Sequence, residues 1–222
     1  AGRHGERYVR HLANGDAPGA TVTAVSRRDA AAREQLARRY PVRAHARWQD
    51  LVADDRVDAV IVATPPMAHD ETIDACVAAG KPVLVEKPLT GNWERARALV
   101  ARLGGEPPVM VAQTLRFHPV LEVAREQMGR LGDVHRIRLA QRLQPTGIRW
   151  QTHALESGGG SVVLTGVHVF DLVRWFVGRS PDHARATVAH VAPTALENLF
   201  DACFDYDDEP LLASTEVSKF TA

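Results

Sequence analysis

The sequence predicts an α/β protein in two parts. An N-terminal doubly wound parallel sheet covers residues 1–113, and a C-terminal α/β domain with an open, mostly antiparallel sheet covers 114–222. Three observations carry this. Short apolar runs alternate with helical patterns through the first half, as in parallel strands joined by crossover helices. The run Pro82-Val83-Leu84-Val85 ends abruptly at Glu86, Lys87 and Pro88, which reads as a strand buried on both faces. Past position 113 the strands lengthen and alternate, the pattern of a sheet with one packed face and one open face.

Taken in order, Gly2-Arg3-His4-Gly5 opens onto a helical pattern with Val9, Leu12 and Ala13 on one face, stopped by Asn14-Gly15. Residues 21–25 are β-branched and apolar, a strand. Asp29 stands as an N-cap before a helix over 30–40 with an inner stripe of Ala32, Leu36 and Tyr40. Trp48 and Leu51 fall in a short turn or helix. A buried strand over 58–63 runs into Thr64-Pro65-Pro66, and a helix from His69 buries Ile73, Cys76 and Val77 before Gly80 ends it at C′. After the 82–85 strand, a helix over 92–103 carries Ala96, Leu99, Val100 and Leu103, and a short strand follows at 109–112.

In the second half a helix begins at Pro119. A strand over 134–143 places Ile137 and Leu139 on one face and Arg136 and Arg138 on the other. A loop over 144–157 carries Trp150 and His153, and Gly158-Gly159-Gly160 leads into a long apolar helix. Phe200, Ala202, Phe204 and Tyr206 alternate, and 211–217 returns as the second arm of a hairpin.

Composition narrows the function. The chain has 27 basic and 27 acidic residues, so no electrostatic footprint points to nucleic acid or an anionic membrane. No long uncharged apolar run spans a bilayer. Cys76 and Cys203 are two separated cysteines, read as free thiols of a reducing cytoplasm. The histidines show no zinc-type spacing, so no metal is expected.

Chemistry concentrates at the strand ends. In a parallel sheet, ligands bind beyond the carboxyl ends of the strands, where Lys87 would stand; a surface lysine in a turn is the plainer alternative. Gly2 and Gly5 form the tail of a G-x-G-x-x-G fingerprint, whose first glycine and preceding strand would lie upstream of Ala1, and the exposed edge at the other end likewise suggests missing residues. Alone, two glycines in an N-terminal turn are more often a mere turn. Roughly twenty residues on, Ser26-Arg27-Arg28 occupies the position of the acid that grips the ribose of NAD. Guanidinium forks there favour the extra phosphate of NADP, with NAD as the alternative, unless they are solvated helix-start residues.

With these residues in place, the chain resembles the Gfo/Idh/MocA family of NAD(P)-dependent oxidoreductases. The resemblance runs over essentially the whole chain. It is carried by GKPVLVEKPL (80–89), VATPPMAH (62–69), Arg116-Phe117-x-Pro119 and the glycine-rich segment 158–178. It implies a Rossmann domain plus an α/β domain whose open sheet forms a homodimer or homotetramer interface. It implies Lys87 and His168 as the catalytic pair, with the Lys87–Pro88 bond cis. Gly2, Arg3, His4, Gly5, Ser26, Arg27, Arg28, Thr64, Pro65, His69, Glu86, Lys87 and Gln113 would hold the cofactor. Arg116, Trp150 and His168 would meet the substrate, although Arg116 serves equally as a structural ion pair and Trp150 as a loop anchor. Asp171 reads as a structural partner.

The acid that the family carries four residues before the histidine is Leu164 here. The expected activity is reversible hydride transfer between NADP and a secondary alcohol or carbonyl of a sugar, cyclitol or related polyol. Leu164 keeps open a catalytically impaired dinucleotide-binding sensor or regulator. A reductase of an imine, a dihydrodiol or a nucleotide-linked keto-sugar is a third reading.

Overall fold

The computed structural model describes residues 1–191 and 195–219. The chain divides into two compact units, Ala1–Ala112 and Gln113–Ala222.

In the first unit, α1 (Arg3–Ala13) precedes β1 (Ala24–Ser26), α2 (Ala30–Arg39), β2 (Arg43–His45) and α3 (Trp48–Val52). Then come β3 (Val60–Val62), α4 (His69–Ala78), β4 (Val83–Glu86), α5 (Trp93–Arg102) and β5 (Val109–Ala112). Every strand pairing is parallel, in two ladders, β1–β2 and β3–β4–β5. Local signals behave as their chemistry dictates. Asp29 caps α2 by accepting from Ala32 N at 2.7 Å, Asn92 caps α5 through Arg95 N, and Gly80 turns the chain after α4 at φ +69°. The core joins Val60, Val62, Val83 and Val85 to Ile73, Cys76 and Leu99 from the helices. Each such burial stabilises by about 1.5–3 kcal/mol.

Three expectations need correction. β2 was not foreseen, because Arg-Ala-His has no strand pattern; its backbone pairs with β1 whatever its side chains. The ladder is not buried on both faces: Ile61 and Met110, in register on either side of Leu84, are 37% and 50% exposed. Ala13 and Val100, placed on inner stripes, are exposed, because each lies at the margin of its helix face.

In the second unit, α6 (Pro119–Met128) leads to β6 (Arg136–Arg142). Then come α7 (Ala154–Ser157), a single π-helical turn (Val162–Gly166), α8 (Val167–Val177), β7 (His183–Ala189), β8 (Leu199–Asp205) and β9 (Leu212–Ser218). The sheet order is β6-β9-β8-β7; β6 and β9 run parallel, and the other two pairings are antiparallel. The expected alternation holds. Phe200, Ala202, Phe204, Ala213 and Val217 are buried against Val169 and Val173 of α8, while Arg136, Arg138 and Arg142 stand on the open face. Among the described residues, the stretch Ala154–Val177 is long and apolar enough to cross a membrane by length and composition, which corrects the reading that no segment was. Leu164, Val169, Leu172 and Val173 of that stretch are buried within the protein.

Candidate active site

In the first unit the candidate residues gather at the carboxyl ends of β1, β3 and β4 and at the start of α1. Gly2 is the N-cap of α1 and makes no side-chain cap, so the first amides of this 11-residue helix are left for a ligand. Gly5 is buried; a Cβ there would sit 3.6 Å from the Ala63 Cβ just after β3, the close helix–strand approach that a dinucleotide turn needs. Arg3 and His4 are exposed on the same first turn.

Glu86, the last residue of β4, is 7% exposed and binds three donors. Tyr8 Oη donates to Oε1 at 2.7 Å, His4 Nε2 lies 2.7 Å from the same oxygen, and the Lys87 amide donates to Oε2 at 3.2 Å. Burial pushes this carboxyl up, but the contacts of His4 and Tyr8 and the charges of His4 and Lys87 outweigh it and hold Glu86 below the ordinary range. The same hydrogen bond, added to burial, raises the Tyr8 phenol.

Lys87 follows Glu86 through a backbone pinned by that carboxylate, and its bond to Pro88 is cis. Burial lowers the Lys87 ammonium below the usual lysine range, partly offset by the Glu86 charge. An amine so tuned gives up its proton more readily than a solvated lysine, which suits it to proton transfer. Thr64, two residues past β3, has a buried hydroxyl with no hydrogen-bond partner, and Pro65 begins the 3₁₀ turn Pro66–Ala68. A buried hydroxyl with no partner at the carboxyl end of β3 fits a ligand at this sheet edge.

His69 departs from expectation. It is 0% exposed, with Nε2 2.8 Å from Thr64 O and Nδ1 2.9 Å from Pro88 O, so no ring atom is open to a cofactor. Burial holds the ring below the usual histidine range against the opposing pull of its carbonyl contacts and of Glu86.

At the tip of β1, Ser26 and Arg27 are partly buried and Arg28 is exposed. The Arg27 guanidinium donates to Ala1 O at 3.0 Å and lies 3.8 Å from Glu6, so its charge is partly engaged. Arg33 was missed. From α2 it donates to the carbonyls of Arg27 and Arg28 at 3.0 and 3.2 Å, bringing a third guanidinium to the tip. Its helical spacing from Asp29 was the available signal.

In the second unit, Gln113 is the first residue, one position later than the unit expected to contain it, and its buried Oε1 has no hydrogen-bond partner. Arg116 forms a bidentate pair with Asp171, at 2.8 and 2.7 Å. This engages Nε and Nη2 of the Arg116 fork with a structural partner, the alternative left open by the sequence. Trp150 is partly buried in the 3₁₀ turn Arg149–Thr152. His168 is the second residue of α8 and is partly buried, and Leu164 in the π turn before it is 5% exposed. An apolar side chain therefore occupies a position where an acid would need a partner. π turns recur at functional sites.

Glu197 was also missed. Its carboxylate accepts from Gly160 N at 2.8 Å and Val162 N at 3.2 Å, while its carbonyl accepts from Ser161 N at 2.8 Å. It thus caps the helical stretch that carries His168. A Cβ at Gly160 would lie 2.2 Å from Glu197 O, which is why glycine stands there. No local pattern links residues this far apart.

Two family models match the chain. One, described as "Oxidoreductase family, NAD-binding Rossmann fold", covers residues 1–111, and the GFO/IDH/MocA C-terminal domain model covers 124–222. Inositol 2-dehydrogenase 2 of Saccharopolyspora erythraea is 36% identical over 183 residues, covering 80% of this chain and 52% of that protein. Trans-1,2-dihydrobenzene-1,2-diol dehydrogenase of Mus musculus is 27% identical, over 83% of this chain and 56% of that protein. The chain thus spans about half the length of these curated relatives. Among solved structures, GenD2 from gentamicin A biosynthesis, in complex with NAD, superposes with a TM-score of 0.90 at 27% identity, covering 100% of this chain and 64% of that one.

Proposed function

The chain belongs to the Gfo/Idh/MocA family of oxidoreductases, and from that premise we propose that it is a dehydrogenase of the CH–OH group of a sugar, cyclitol or related polyol, with NADP as its preferred cofactor. The observation that carries this reading is the placement of Lys87: a partly buried amine, lowered in pKa by that burial, directly after a carboxylate that three donors hold in place.

A nicotinamide dinucleotide, when bound, supplies the hydride acceptor or donor. The chain's own residues do the rest. The amides after Gly2 hold the pyrophosphate, Thr64, Pro65 and Gln113 line the cofactor, and Ser26, Arg27, Arg28 and Arg33 meet the ribose and its phosphate. Lys87 accepts the proton that leaves the substrate hydroxyl, and His168 carries the second acid–base role that the family resemblance assigns. The relatives support a cyclitol or dihydrodiol as substrate, since they are named as inositol and dihydrodiol dehydrogenases. Self-association through the open sheet belongs to the same proposal. That face carries Arg136, Arg138 and Arg142 beside Asp201 and Glu216, charges of both signs that a second copy can complement. A cytoplasmic site of action fits the free Cys76 and Cys203.

The test is NADP and NAD reduction against a panel of inositols, sugars and dihydrodiols, with Lys87→Ala alongside. Turnover by wild type that the variant loses is the expected result; equal inertness of both on every substrate overturns the enzymatic reading. Leu164 favours one second reading, a dinucleotide-binding sensor. Tight NADP binding without turnover by wild type is its signature.

A further inference from the structure

We propose that His69 is the positioning residue for Lys87: its buried imidazole staples the loop after β3 to the loop after β4 and so fixes the backbone on the far side of the lysine. The inference rests on the reading of Lys87 as the proton acceptor.

The β3–β4 ladder ends at the pair Val62↔Val85. Beyond it the two chains part, one into Thr64-Pro65 and the other into Lys87-Pro88. The His69 ring reaches both, with Nε2 at Thr64 O, 2.8 Å, and Nδ1 at Pro88 O, 2.9 Å. It replaces the missing strand contact with a side-chain bridge. The bridge is rigid, since His69 is 0% exposed and begins α4, whose Ile73 and Cys76 are also 0% exposed.

Lys87 is therefore held from two sides. Its amide is tied to Glu86 Oε2 at 3.2 Å, and the carbonyl of the next residue is tied to His69. A group that must sit within a few tenths of an ångström of a reacting hydroxyl needs such a frame. Both partners are carbonyl oxygens and only accept, so the neutral ring donates its single N–H to one of them and packs its other nitrogen against the second, held between the two loops by that bond and by its burial.

The experiment compares wild type with His69→Phe, which keeps the ring shape and removes both nitrogens, and His69→Gln, which keeps one donor and one acceptor. Ile73→Val, one turn along the same helix, controls for lost stability. The first readout is acylation of the Lys87 amine as a function of pH, followed by peptide mass spectrometry, which needs neither cofactor nor turnover. The second is kcat and KM on any polyol that wild type oxidises.

In His69→Phe the labelling midpoint of Lys87 is expected to move by about one pH unit toward that of a solvated lysine. The value of kcat is expected to fall by up to about 100-fold with little change in KM. His69→Gln should fall between the two, and Ile73→Val should leave the midpoint unmoved. A His69→Phe midpoint equal to wild type overturns the proposal, as does a His69→Phe effect that Ile73→Val reproduces. If His69→Phe moves the midpoint while wild type oxidises no polyol, the staple stands and the dehydrogenase reading falls.

Discussion

Tyr8 and Glu86 stand 78 positions apart in sequence and are joined by a 2.7 Å hydrogen bond from phenol to carboxylate. The contact ties the first helix to the end of β4, so the turn that presents the α1 amides and the strand that presents Lys87 are parts of one frame. Tyr8→Phe should lower stability by about 1 kcal/mol and weaken dinucleotide binding, measured by thermal melting and by titration calorimetry. Unchanged affinity would mean that the contact is structural only.

The Glu86 carboxyl lies below its ordinary value of 4.5 in the folded state. An acid with a depressed folded pKa contributes stability that is complete above its unfolded pKa and is lost as pH falls through the folded one. The stability gap between wild type and Glu86→Gln should therefore be constant from neutrality to about pH 4.5 and shrink below it. Melting curves across that range check it; a gap that widens in acid has the wrong sign.

Lys87 has the opposite linkage. Its folded pKa lies below 10.5, so the unfolded chain binds the extra proton and folding opposes that charge until alkaline pH. Lys87→Met should be more stable than wild type at neutral pH, with the difference closing as pH approaches 10.5, and it should lose turnover. Denaturant midpoints at two pH values suffice to read it.

At the tip of β1, Arg28 is exposed while Arg27 is partly engaged by Ala1 and Glu6. Arg28→Ala should weaken NADP binding by roughly tenfold, the scale of one charge-assisted hydrogen bond, and leave NAD affinity in place. Equal wild-type affinities for the two cofactors would remove the role given to these arginines.

Glu197 caps the stretch that bears His168, and Gly160 leaves room for it. Glu197→Ala should cost about 1–2 kcal/mol of stability, as for other lost caps. Gly160→Ala drives a methyl into a backbone carbonyl and should cost about 1–3 kcal/mol. If Gly160→Ala melts at the wild-type temperature, the close approach is not a constraint.

The sequence by itself determined what depends on near neighbours: the caps at Asp29 and Asn92, the turn at Gly80, the alternation of β6 and β8, and the motifs that hold Lys87 and His168. Each follows from residues within a few positions, where propensity and periodicity act. Tertiary structure decided the rest. It gave His69 two carbonyls instead of a cofactor, closed Arg116 onto Asp171, paired Arg43–His45 with β1 against its composition, and brought Glu86 to Tyr8 and Glu197 to Gly160. The physical reason is that a buried polar group must find a partner wherever the fold brings one within about 3 Å, and that choice is made in space, not along the chain.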